Sequence, residues 1–188
     1  MSIEADLRSW SREVLEVASP HLNGLPPCPY AKKAWAEDQV AVIETKNILL
    51  DALKACSSFY DFDKELVVVA SHYIPEIEEL QEFVDTLNDV FPNTHCMQFH
   101  PDYDAEDAGL EFLTDNDWEG AVEDLYCMVF IQDLKAVVSA SDKLERLGYY
   151  AAYPPDEYEA LVAARRRRLT HEPHQHGATD RGSPDEES

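Results

Sequence analysis

The sequence predicts an α/β fold: a single domain with a mainly parallel, four-stranded sheet flanked by helices, followed by a disordered C-terminal tail. Three observations carry that expectation. Leu66-Val67-Val68-Val69-Ala70 is an unbroken apolar, β-branched run, the pattern of a strand covered on both faces. Short runs of this kind alternate with segments whose apolar residues recur every three to four positions, the order that builds parallel sheets. A chain of 188 residues, 45% hydrophobic and 28% charged, has material for one ordinary core. Residues 1–169 are expected to form the domain, with an acidic insertion at 102–124, and 170–188 the tail.

Ile3, Leu7, Trp10, Val14 and Val17 fall at helical spacing, and Ser19-Pro20 with Asn23-Gly24 ends that helix. Pro26, Pro27 and Pro29 then stiffen a loop around Cys28, because each fixes φ and removes a donor. Val40 to Thr45 reads as the first strand. From Lys46 to about Cys56 a helix presents Leu49, Leu53 and Cys56 on one face. The run at Leu66 is the second strand, and Pro75 opens a helix with a stripe of Ile77, Leu80, Val84, Leu87 and Phe91. His95 to Phe99 is the third strand. Tyr126 to Ile131 is the fourth, expected at an edge in either direction. The next helix turns Leu134, Val137, Val138, Ser141 and Leu144 inward and ends at Gly148. Pro154-Pro155 starts the last helix, whose Arg165 to Arg168 suit the negative end of the helix dipole. Beyond His171 the chain is polar, interrupted by Gly and Pro, and nearly without apolar residues.

Charge narrows the function. Thirty-eight acidic against fifteen basic residues give a formal charge of −23, which repels phosphate backbones and anionic membranes. No direct nucleic-acid or membrane binding is expected. Ten of the carboxylates crowd Asp102 to Asp124, where no Lys or Arg occurs. That stretch lacks the D-x-D-x-D-G spacing of a calcium loop, so it reads as solvated surface or as a face for a basic partner. Cys28, Cys56, Cys96 and Cys127 form no C-x-x-C or zinc-finger pattern, and the N-terminus lacks a basic-then-apolar leader. A cytoplasmic protein with reduced thiols is the expectation.

The candidate site lies where parallel strands end. His72 follows the second strand and His100 the third, so both imidazoles are expected on one rim of the sheet. Alternation places Cys96, Gln98 and His100 on one face of the third strand and His95, Met97 and Phe99 on the other. His95 is therefore expected to be a packed or half-exposed strand histidine rather than a partner of His100. Three roles are open to His100. It can act as a general acid or base oriented by Asp102 or Tyr103. It can ligate iron, copper or zinc with companions drawn from His72, Asp102, Asp104 or Cys28. Or it can bond a loop carbonyl and lock the turn before Pro101. Cys28 is either a reactive thiolate, with Lys32 and Lys33 near enough to lower its pKa, or a small packed hydrophobe.

Cys28-Pro29-Tyr30-Ala31 and Phe99-His100-Pro101-Asp102-Tyr103, in that order and spacing, resemble the C-P-F-A and F-H-P-x-Y elements of a family of uncharacterised proteins of about this length. The resemblance covers roughly residues 7–150 and implies that Cys28, Pro29, His100, Pro101 and Tyr103 travel together. It implies no activity, and the family's later R-S-P-Y-P-like segment is replaced by the acidic stretch. The combined expectation is a small enzyme that oxidises or hydrolyses a small molecule, metal-dependent in one version. Cys28, His100 and Tyr103 would be its catalytic residues, and His72, His100 and Asp102 its metal ligands. The alternative is a non-catalytic acidic adaptor for a basic protein.

Overall fold

The computed structural model describes residues 2–102 and 126–170. Most of the acidic insertion, Tyr103 included, and the tail from His171 lie outside the described residues. The elements are α1 (Ile3–Trp10), α2 (Ala31–Ala36), β1 (Val40–Thr45), α3 (Ile48–Ser57), β2 (Leu66–Ser71), α4 (Ile77–Val90), β3 (Thr94–Phe99), β4 (Cys127–Asp133), α5 (Leu134–Arg146), α6 (Pro155–Tyr158) and α7 (Ala164–Thr170). Single π-helical turns extend α1 through Ser11–Leu15 and join α6 to α7 through Glu159–Ala163.

One four-stranded sheet, flanked by helices, has the order β1-β2-β4-β3. The sheet is mixed, which corrects the expectation of a mainly parallel one. β1 and β2 pair in parallel, while β4 runs antiparallel to both β2 and β3. β1, β2 and β3 therefore still point the same way. The physical reason lies in the connection: a strand that follows another from the same end of the sheet must return antiparallel, since a parallel return needs a crossover. β4 is also central rather than at an edge. Its Cys127, Met128, Val129 and Ile131 are 0% exposed, and a strand so apolar on both faces is stable only between neighbours. The edges fall to β1 and β3.

Alternation sorts the side chains into two layers. Ile48, Ala52 and Cys56 of α3 and Leu80, Val84 and Leu87 of α4 pack on Val67, Val69, Cys96, Cys127, Val129 and Ile131. On the other face Ile3, Leu7 and Trp10 of α1 cover Val40, Val68, Ala70, Met128 and Phe130. Trp10 meets Phe99 and Phe130 edge-on, with centroids 5.9 and 6.4 Å away. The helical stripes differ in detail from the sequence pattern. In α3 the inward positions belong to Ile48, Ala52, Ala55 and Cys56, whereas Leu53 is 42% exposed, and Val17 beyond α1 is 50% exposed. Small residues face the sheet there because they let α3 approach closely. Gly148, at φ +74°, ends α5; a Cβ would meet the Asn23 side-chain amide at 3.2 Å, the group that bonds the Leu147 carbonyl.

The β3 edge is not left open. The Asn88 side chain on α4 pairs with the Cys96 backbone like a neighbouring strand, accepting from its N–H at 2.9 Å and donating to its C=O at 3.0 Å. Arg168 of α7 reaches across the same edge and donates to the Asn88 side-chain and backbone oxygens and to the Thr94 carbonyl. Arg166 donates to Asp142 and Glu145 of α5 and to the Tyr158 hydroxyl. The arginines thus fasten the last helix to the body, beyond the dipole role suggested by their position. Replacing Asn88 with Ala should destabilise the fold by about 2–3 kcal/mol, because the Cys96 backbone and one Arg168 donor lose partners. Urea unfolding measures the loss, and hydrogen exchange at the Cys96 amide should accelerate.

Candidate functional site

The pairing registers determine what emerges at the C-terminal rim. Thr45 of β1 pairs with Ser71 of β2, Ser71 with Cys127 of β4, and Phe99 of β3 with Met128. One step further, Lys46 and His72 leave the sheet side by side, and Tyr126 enters β4 next to His72. His72 and Tyr126 stack with ring centroids 4.6 Å apart and planes tilted by 59°. His100 leaves β3 on the far side of β4, about 10 Å from the β2 axis at two strand spacings.

The two histidines share the rim but not a face. His72 continues the Val68–Ala70 series toward α1, while His100 continues the Cys96–Gln98 series toward α4. They do not converge. The imidazole of His100 is 1% exposed and both of its nitrogens are occupied. Nε2 lies 2.8 Å from the Pro75 carbonyl, and Nδ1 accepts from the Asp102 backbone N–H at 3.0 Å. With the proton on Nε2, the ring satisfies both partners and ties the turn after β3 to the segment before α4. This is the turn-locking role among the three open to it. The Asp102 carboxylate, 82% exposed, stands 3.9 Å from Nδ1 and points to solvent.

Cys28 belongs to another neighbourhood. Its N–H donates to the Leu15 carbonyl, and Tyr149, in a satellite cluster with Leu22 and Leu144, bonds the adjacent Pro27 carbonyl at 2.5 Å. Burial pushes its thiol up, against the pull of the Tyr30 and Ala31 N–H groups, and the nearby charge is Glu16 rather than Lys32 or Lys33. Tyr103 lies outside the described residues. His72, His100 and Asp102 are not placed to share an ion, and among the described residues no three His, Cys, Asp or Glu side chains gather as a metal site requires.

The structure assembles a different group on the rim. Glu44, Thr45, Lys46, His72 and Tyr73 line an open recess of about 300 Å³. Glu44 near the end of β1 and Lys46 just beyond it are two apart, and both line the recess with His72. Behind His72, the Tyr126 hydroxyl donates to the Asp6 carboxylate at 2.7 Å, and burial together with that carboxylate pushes its phenol up to about 12. The Tyr73 N–H bonds the Ser71 hydroxyl at 3.0 Å, and Thr45 joins Asp51 and the Asn47 N–H to hold the β1–α3 turn. Lys46 makes no ion pair among the described residues. Sequence reading named His72 but missed Glu44, Lys46 and Tyr126. The signal for Lys46 was available: it follows the first strand as His72 follows the second.

His95 is packed, as its strand parity implied, at 8% exposure beside Arg165 and Arg168. Its Nδ1 lies 3.4 Å from an Arg168 nitrogen, and its buried Nε2 has no partner among the described residues. Burial, reinforced by the two guanidiniums, holds its pKa well below 6.5. The unfolded chain therefore binds a proton that the native state refuses, and stability falls as pH drops below about 6.5. Replacing His95 with Gln should flatten the change in urea midpoint between about pH 7 and pH 5. His100→Ala should cost about 2–4 kcal/mol in urea unfolding, because it leaves the Pro75 carbonyl and the Asp102 N–H without partners. No family model, no curated protein and no solved structure matches this chain.

Proposed function

We propose that this protein binds a small polar molecule in the recess at the C-terminal ends of β1 and β2, with His72 as its proton-transfer group. The observation that carries the reading is the convergence of a carboxylate, an ammonium and an imidazole, Glu44, Lys46 and His72, on one open recess. Lys46, without an ion pair among the described residues, supplies a cation in a chain of formal charge −23, so an anionic group on the ligand finds its counter-charge there. Glu44 beside it accepts from a donor on the same ligand. A small molecule carrying a carboxylate or phosphate next to an amine or hydroxyl fits both. His72 is exposed, its imidazole can both donate and accept a proton, and its stacking on Tyr126 limits its orientations. The class this favours is an enzyme acting on such a molecule by acid–base chemistry, with His72 rather than His100 as the proton-transfer residue.

Titrating isotope-labelled protein with a panel of small carboxylates, phosphates and amino acids tests this by amide NMR. Saturable shifts should appear at Lys46, His72 and Tyr73 for at least one probe, and Lys46→Ala should weaken that binding at least about tenfold. Absence of any saturable shift at these amides up to about 10 mM probe would remove the reading.

A further inference from the structure

Two cysteines that the rim site does not use lie in contact inside the α3–α4 layer. Cys56, in the last turn of α3, and Cys96, in the middle of β3, place their sulfurs 3.3 Å apart. Both are buried, at 5% and 2% exposure. The sulfurs are in contact, about 1.2 Å beyond the roughly 2.05 Å of a disulfide. We propose that Cys56 and Cys96 form a disulfide-forming site, oxidised by a small peroxide, which cross-links α3 to the edge strand β3.

The surroundings assign different parts to the two sulfurs. The contact between the two sulfurs lowers the Cys96 thiol and raises that of Cys56. The Thr94 hydroxyl also lies against both sulfurs, and the Arg168 guanidinium at the β3 edge adds positive charge on the Cys96 side. Cys96 is thus the attacking thiolate and Cys56 the resolving thiol. In the first step the Cys96 sulfur attacks one oxygen of hydrogen peroxide. The O–O bond breaks, hydroxide departs and takes up a proton as water, and Cys96 becomes a sulfenic acid. In the second step the Cys56 sulfur attacks the Cys96 sulfur. The S–O bond breaks, and the departing hydroxide takes the Cys56 proton as a second water. Two thiols have lost two electrons and two protons, and one peroxide has gained them.

The other two thiols provide the internal control. Cys127 is 0% exposed with its thiol pushed up to about 12 by burial, and Cys28 is half-buried in a separate cluster. The link would span the whole β2–α4–β3 crossover, so it restrains the unfolded chain over a long loop.

The test treats the reduced full-length protein with hydrogen peroxide, quenches it, unfolds it, alkylates free thiols and maps peptides without reduction. The expected product is a Cys56–Cys96 linked peptide from a protein lighter by about 2 Da, with Cys28 and Cys127 alkylated. Dithiothreitol should restore four alkylatable cysteines, and the oxidised form should melt several degrees higher. Cys56→Ser should leave Cys96 as an unresolved sulfenic acid that a dimedone probe captures. Recovery of both Cys56 and Cys96 as alkylated thiols would overturn the proposal, as would a link through Cys28 or Cys127. The wild-type map decides the matter even if the serine variant does not fold.

Discussion

β4 sits between β2 and β3, and the rest of the molecule is arranged around that placement. Burying a strand with Met128, Val129 and Ile131 on opposite faces demands a covered layer on each side, which α1 supplies on one face and α3 with α4 on the other. Its interposition spreads the ends of β2 and β3 by one strand width. It also brings Tyr126 up between them, against His72 on one face. The recess at Lys46 and His72 exists because β1 and β2 remain adjacent while β3 has been displaced outward. The same displacement leaves β3 as an edge, which then needs the side chains of Asn88 and Arg168 to satisfy backbone groups that a neighbouring strand would have used.

The scarce cations of this acidic chain are concentrated at joints. Arg168 closes an edge by bonding three oxygens, Arg166 ties α5 to the final helix through two carboxylates and a phenol, and Lys64 holds Asp38 ahead of β1. Arg165 lies against Met97 over the β3 face, and burial lowers its pKa. Arg168 gains most, since its acceptors are fixed and part-buried, whereas an exposed pair such as Lys64 with Asp38 contributes little. Lys46 stands at the recess and makes no ion pair among the described residues.

The parts of the fold readable from sequence were those governed by short periods. The β-branched run of β2, the stripe of α4 and the glycine stop after α5 each state their own structure through spacing alone. Even the face parity of β3, with Cys96 opposed to Met97, followed from counting. What could not be counted was order in space. The apolar run from Tyr126 resembles that of β2 and could have argued for a central strand, just as the polar Thr94, His95 and Gln98 argued for an edge. For His100 the turn-locking role was among the expectations, but its partners were illegible for a different reason. Its partners are the carbonyl of Pro75, 25 residues away, and a backbone N–H, and no side-chain pattern announces a carbonyl. Having both histidines on one rim was deducible from strand direction. Their separation onto two faces follows from residue parity in β2 compared with β3, a comparison that needs the pairing registers.

β3 and β4 are antiparallel neighbours, and Phe99 already pairs with Met128 at the rim. A link of about two residues would join such strands, whereas this chain spends residues 100–126 on the passage. His100 and Tyr126 hold its two ends in place. Pairing β3 with β4 does not by itself call for so long a link, so its length and its wealth of carboxylates answer a demand other than joining those two strands.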